Sequence, residues 1–115
     1  MYQIRYYQNA RGDRPVHGFI KELDVKTRAK INWVILRLET MGPNLIRPYA
    51  DVVRGKIREL RIEFGHNNVR ILYFFFDGDQ IVLVHAFLKK TDAIRLGDIE
   101  LAERRMTDWI RWHSN

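Results

Sequence analysis

Residues 56–91 read KIRELRIEFGHNNVRILYFFFDGDQIVLVHAFLKKT, three apolar runs divided by two groups of turn residues. Nothing else in the chain constrains its fold as strongly. Ile, Val, Phe and Tyr dominate the runs, and such side chains suit a half-buried pleated surface. Asp77-Gly78, between Phe76 and Asp79, is a strong hairpin signal, because glycine accepts the positive φ of a type I′ turn. Gly65-His66-Asn67-Asn68 marks a weaker turn. The stretch predicts a three-stranded antiparallel meander over 56–64, 69–76 and 80–88.

Side chains alternate along a strand, so register decides which residues share a face. A two-residue turn at 77–78 sets Arg70 opposite His85; moved to 78–79, it sets Arg70 opposite Phe87. A two- or four-residue loop at the other turn sets Arg70 opposite Glu63 and Leu72 opposite Arg61. Each choice leaves Glu59, Arg61, Glu63, Arg70, His85, Phe87 and Lys89 on one face. The other face carries Leu60, Ile62, Phe64, Val69, Ile71, Tyr73, Phe75, Val84, Ala86 and Leu88, and reads as a core. A three-residue loop at either turn would break this sorting.

The flanking segments predict helices. Tyr2–Tyr7 alternates weakly and reads as a first strand that pairs with the meander. Arg11-Gly12-Asp13 is a turn, and Pro15 suits the first turn of a short helix running through Leu23. Asp24 can cap a second helix over 25–41, with Ile31, Val34, Ile35, Leu38 and Met41 at helical spacing and Gly42-Pro43 as its stop. Trp33 lies beside that stripe and reads as packing. Residues 44–55 read as a connecting loop. A last helix over 97–112 has Ile99, Ala102, Met106, Trp109 and Ile110 as its apolar stripe. It is expected across the sheet edge or over part of the sheet's other face. The order strand, helix, helix, three strands, helix gives one α+β domain over 1–115: a small, mostly antiparallel sheet with a helical hairpin on one face.

Composition narrows the function classes. There is no cysteine, hence no disulfide framework and no thiolate metal site. No apolar run approaches a membrane span, and the first residues lack a signal-peptide run, so a cytoplasmic protein is expected. Twenty Lys plus Arg against 14 Asp plus Glu give a net charge of +6, which attracts nucleic acid, a ribosome surface or an acidic partner. There is no Gly-rich phosphate loop, and His17, His66, His85 and His113 have no metal-ligand spacing, so neither a metal nor a small-molecule cofactor is expected. Ser114 is the only serine and sits at the chain's end, which excludes a serine triad.

What remains is a basic sheet face with a histidine and aromatic residues. Arginine forks bind phosphate bidentately, lysine supplies a point charge, and histidine titrates near neutrality. This set suits metal-free RNA cleavage, in which the ribose 2′-OH attacks the adjacent phosphate and cations stabilise the developing charge. On that reading Arg70 presents a fixed fork to phosphate and is no part of the core. The plainer alternative has Arg61 and Arg70 paired with Glu59 and Glu63 on a solvated face.

Glu59-Leu60-Arg61, the strand Val69-Arg70-Ile71-Leu72-Tyr73-Phe74, the run His85-Ala86-Phe87-Leu88-Lys89-Lys90-Thr91 and the segment Ile99 to Arg105 together give the chain a family likeness. It resembles the phage-derived HigB-like branch of the RelE/ParE toxin superfamily, most specifically from Lys56 to Met106. The resemblance implies a RelE-like fold and the toxin of a type II toxin–antitoxin pair. Such toxins commonly enter the ribosomal A site and cut messenger RNA without metal. The implied partners are the ribosome, messenger RNA and a small helix-turn-helix antitoxin. Carried over by position, Arg61 and Arg70 match the sheet arginines, and Lys89 and Lys90 match the double lysine after the last strand. With His85 these are the candidate catalytic residues. Two features depart from the branch: Asp92–Gly97 replaces its Thr-Pro approach to the last helix, and the tail lacks the C-terminal catalytic aromatic of some relatives. A gyrase inhibitor of ParE type and a non-catalytic RNA-binding module are the alternatives.

Overall fold

The near-continuous apolar runs in the centre of the chain suit strands buried on both faces of a sheet. The structure, a computed structural model, describes residues 1–114. Its elements are β1 (Gln3–Tyr6), α1 (Pro15–Lys21), α2 (Val25–Met41), a 3₁₀ turn (Gly42–Asn44), β2 (Ala50–Arg54), β3 (Ile57–Phe64), β4 (Asn67–Phe76), β5 (Gln80–Leu88) and α3 (Leu96–His113). The fold is α+β, with five strands in the order β1-β5-β4-β3-β2. β1 runs parallel to β5, and the other neighbours are antiparallel.

The expected connecting loop at 44–55 is corrected by β2, so four strands rather than three follow the helical hairpin. This edge strand has only five residues, and Val52 is solvent-exposed. A short edge strand with one open side carries little of the apolar alternation that marks a buried one. The expected three-strand order was short by this element.

α2 begins where Asp24 accepts a hydrogen bond from the Thr27 N–H at 3.2 Å and from the Thr27 hydroxyl at 2.5 Å. Asn67 Nδ2 donates to the same hydroxyl at 2.9 Å, which ties the start of β4 to the start of α2. The helix stops at Gly42, whose φ is 54°. A β-carbon there would sit 2.2 Å from Tyr2 Cε1, so both the backbone and the close approach of the Tyr2 ring, just before β1, require glycine. α1 ends at Lys21 rather than Leu23, though Leu23 still packs on the core.

One face of the sheet packs Leu60, Ile62, Val69, Ile71 and Tyr73 against Val16 of α1 and Ile31, Val34 and Leu38 of α2. The other packs Leu72, Phe74, Val82 and Val84 against Ala102 and Trp109 of α3. α3 therefore covers the second face, one of the two positions expected for it. Val84 belongs to α3's side, not to the helical-hairpin side where strict alternation had put it. Phe64 and Leu88, also expected in that core, lie at strand ends and are exposed.

Both turns differ from the sequence reading. Gly65-His66 forms a two-residue turn that sets Arg61 opposite Arg70 and Glu59 opposite Leu72, two residues from the expected register. A shift of two preserves which residues share a face. At the other turn Asp77 (φ 55°) and Gly78 (φ 82°) have the expected positive φ, but Asp79 joins them in a three-residue loop, with Phe76 opposite Gln80. That loop alone would have put Ala86, not Phe87, opposite Arg70. A bulge restores the parity: Tyr73 pairs with Leu83, Leu72 pairs with His85, and Val84 is the extra residue. His85, Phe87 and Lys89 thus return to the face of Arg70.

Candidate functional site

The bulge leaves the Val84 carbonyl outside the regular ladder. Arg105 of α3 donates to it at 2.8 Å, with its guanidinium 5.6 Å from the centre of the Tyr7 ring. Beside the bulge, His85 Nε2 lies 2.7 Å from Oδ1 of Asp98, in the first turn of α3. An ionised Asp98 can only accept, so Nε2 carries the proton and Nδ1 is left with a lone pair. The imidazole stacks on Phe87, centroids 5.1 Å apart. Burial pushes the His85 pKa below its ordinary value, and the Arg105 charge adds to this; the Asp98 hydrogen bond and charge oppose it. Burial is the larger effect, so the ring is neutral near pH 7. In the sequence Asp98 reads only as an acid suited to the positive end of the last helix, and neither it nor Arg105 reads as a site residue. The strand-to-helix contact depends on where the bulge falls.

Next along the same face is a cluster of two arginines and two glutamates. Arg70 is 1% exposed. Its Nε lies 2.9 Å from Glu59 Oε1, a close charge contact without straight hydrogen-bond geometry. Its Nη1 donates to Asn68 Oδ1 at 2.7 Å and to the Val69 carbonyl at 3.1 Å, and its Nη2 to Glu63 at 3.4 Å. Arg61, the cross-strand neighbour, lies 3.4 Å from Glu59 and 3.7 Å from Glu63. The plainer sequence reading named these pairs but set them on a solvated face. Instead Arg70 and Glu59 are buried, and the Arg70 fork points at protein.

Arg61 and Lys89 line an open groove of about 410 Å³, together with Glu59, Asp92 and Arg47. Arg47 precedes β2 and pairs with Asp51 at 2.7 Å. It is a groove cation the sequence reading did not select, because residues 44–55 showed no pattern that placed them. Lys90 faces away and lines a shallow crevice with Phe87, Thr91 and Arg95; Lys89 and Asp98 border that crevice too. The five candidate residues therefore separate. Arg61 and Lys89 face the groove, Arg70 braces it from below, His85 sits with Asp98 under the first turn of α3, and Lys90 lies outside.

A larger depression, about 690 Å³, runs along α3 between Glu100, Glu103 and Asp108 on one hand and Arg104, Arg105 and Arg111 on the other. It gathers none of the candidate residues, and its charges balance. The groove has three cations, Arg47, Arg61 and Lys89, against Glu59 and Asp92, and of the three only Lys89 is in no ion pair among the described residues. Among the described residues no cluster of His, Asp or Glu could hold a metal, and no helix is long and apolar enough to cross a membrane. The sequence model of the phage-derived protein Gp49-like family matches residues 18–107, most of the chain and all five candidate residues. No curated protein matches the chain significantly.

Proposed function

The chain belongs to the phage-derived Gp49-like family, which is associated with toxin–antitoxin pairs, and from that premise we propose that it is the toxin of such a pair and cuts messenger RNA on the ribosome. The finer placement, in the HigB-like branch of the RelE/ParE superfamily, is part of the same proposal. The observation that carries it is the groove lined by Arg61 and Lys89, with His85, held by Asp98, on the same face of the sheet.

In this reading Arg61 and Lys89 hold the scissile phosphate and stabilise the charge that develops on it. The ribose 2′-OH attacks that phosphate to form a 2′,3′-cyclic phosphate, and the bond to the 5′ oxygen of the next nucleotide breaks, that oxygen leaving with a proton from water. A neutral His85, oriented through Nε2 by Asp98, takes the 2′-OH proton on Nδ1 as the ribosome brings the strand against the site. Arg70 is a positioning residue: it fixes Glu59 and Glu63, which in turn hold Arg61. Lys90 lies outside the groove and adds only to the long-range positive field that attracts RNA. The partners in this reading are the ribosome with its messenger RNA and a helix-turn-helix antitoxin.

Burial of Arg70 favours a second reading, a gyrase inhibitor that cuts no RNA, because only part of the expected catalytic face is open. Expressing the chain in growing cells without its partner separates the two. Arrest of protein synthesis within minutes, with plasmid supercoiling intact, supports the ribonuclease. Continued synthesis with loss of negative supercoiling replaces it with the gyrase inhibitor.

A further inference from the structure

α2 has two apolar faces, and the protein covers only one. Ile31, Val34 and Leu38 are buried against the sheet. Val25, Ala29, Trp33, Leu36 and Thr40 form a second stripe, within about 80° of arc at roughly 100° per residue. It extends about 22 Å along the helix. All five are exposed, Val25 at 69%, Leu36 at 53% and Trp33 at 43%. Trp33 was expected to be packing; its edge does meet Tyr49, centroids 5.6 Å apart, but much of it remains open. Trp33, Leu36, Arg37, Thr40 and Met41 line a concavity of about 280 Å³.

Cations flank the stripe on one side. Lys30 Nζ lies 4.5 Å from the centre of the Trp33 ring, and the Arg37 guanidinium lies 5.0 Å from Trp33 and 4.9 Å from Tyr49. Lys26 continues the same flank by helical position. None of the three is in an ion pair among the described residues. Arg37 Nε is buried without a hydrogen-bond partner.

We propose that this face of α2 docks an acidic amphipathic helix of a partner protein, with its apolar side over Trp33 and Leu36 and its carboxylates against Lys26, Lys30 and Arg37. Helix-in-groove recognition uses this pattern of apolar anchors at three-and-four spacing. A second copy of the chain is disfavoured, because two +6 molecules repel and the flank would meet like charge. RNA would satisfy the cations but leave Val25 and Leu36 uncovered. Within the function proposed above the helix belongs to the antitoxin. The surface is separate from the cleavage groove, and its test reads binding rather than activity, so either can fail without the other.

The probe is a fluorescein-labelled peptide of about five helical turns, with leucines at three-and-four spacing flanked by glutamates. Its anisotropy is titrated with the intact protein at low and high salt, from about 50 to 300 mM. Saturable binding is expected, weaker at high salt and at least about tenfold weaker in Trp33→Ala and in Leu36→Lys. Leu36 is 53% exposed, so Leu36→Lys is expected to keep its fold, checked by circular dichroism. No saturable binding, equal binding by both variants, or tighter binding of a peptide with lysines in place of glutamates overturns the proposal. So does a dimer, seen by sedimentation, that Leu36→Lys dissolves, which gives the face to a second copy. Binding of a single-stranded RNA that both variants lose gives it to nucleic acid and overturns the proposal as well.

Discussion

Replacing Arg70 with alanine removes a guanidinium that is 1% exposed and that touches Glu59 at 2.9 Å, Glu63 at 3.4 Å and Asn68 at 2.7 Å. The Glu59 carboxylate is itself buried, and after the change its nearest cation is Arg61, at 3.4 Å. Breaking a buried pair by removing one partner typically costs 3–5 kcal/mol, because the other charge is left uncompensated. Arg61 remains as a second partner, so the cost belongs at the low end, about 3 kcal/mol. For a domain of this size that lowers Tm by about 12 °C. A thermal melt followed by far-ultraviolet circular dichroism measures it. Changing both members to apolar residues, Arg70→Met with Glu59→Leu, should recover most of the loss, because no buried charge is then left alone. A fall of less than about 2 °C in Arg70→Ala would refute the buried-pair reasoning. It would restore the sequence expectation that Arg70 is a free phosphate fork, whose removal costs activity and little stability.

Three other outcomes are expected. Burial holds the His85 pKa below its ordinary 6.5, so its neutral form stabilises the fold. That contribution is complete above about pH 6.5 and is lost as pH falls through the lower folded value, because the unfolded chain then binds the extra proton. Urea midpoints between about pH 7.5 and 5 should drop less in His85→Gln than in the natural chain, and an equal drop would contradict this. Gly42→Ala meets the Tyr2 ring at 2.2 Å and a φ of 54°, so it should cost about 2 kcal/mol or more in urea unfolding; an unchanged midpoint would contradict the close packing of β1. Arg105→Ala removes the donor to the Val84 carbonyl, and the His85 ring resonances should shift in NMR spectra while the sheet survives. Unmoved His85 resonances would separate the bulge from Arg105.

The meander was legible because three runs rich in β-branched and aromatic residues are divided by turn residues, and the face of Arg61, Arg70, His85, Phe87 and Lys89 was read correctly. It was right for a reason the sequence did not display. The Asp77–Asp79 loop has three residues, and a bulge at Val84 cancels its effect on parity. A bulge has no residue signature of its own here, since Val84 lies in an unbroken apolar run. The site was less legible than the face. Alternation tells which side a residue points to, not how deep it lies. Arg70 has β3 and β5 on either side and Glu59 beside it, so a residue that reads as a surface cation is buried. Asp98 and Arg105 come from α3, whose placement over this face was one of two options. Arg47 precedes an edge strand too short to announce itself. The cap at Asp24 and the stop at Gly42 were legible because both are local: each needs only its own few residues.

Purified protein added to a translation extract programmed with a defined messenger RNA, with the RNA ends mapped by primer extension, tests the proposed activity most directly. Cuts are expected within the translated frame and absent when ribosomes are withheld. Arg61→Ala should reduce them about 10²–10³-fold, by analogy with removing one preorganised donor to a developing oxyanion. Intact messenger RNA in the presence of folded protein, or cutting that Arg61→Ala leaves unchanged, would contradict the assignment of this groove to RNA cleavage.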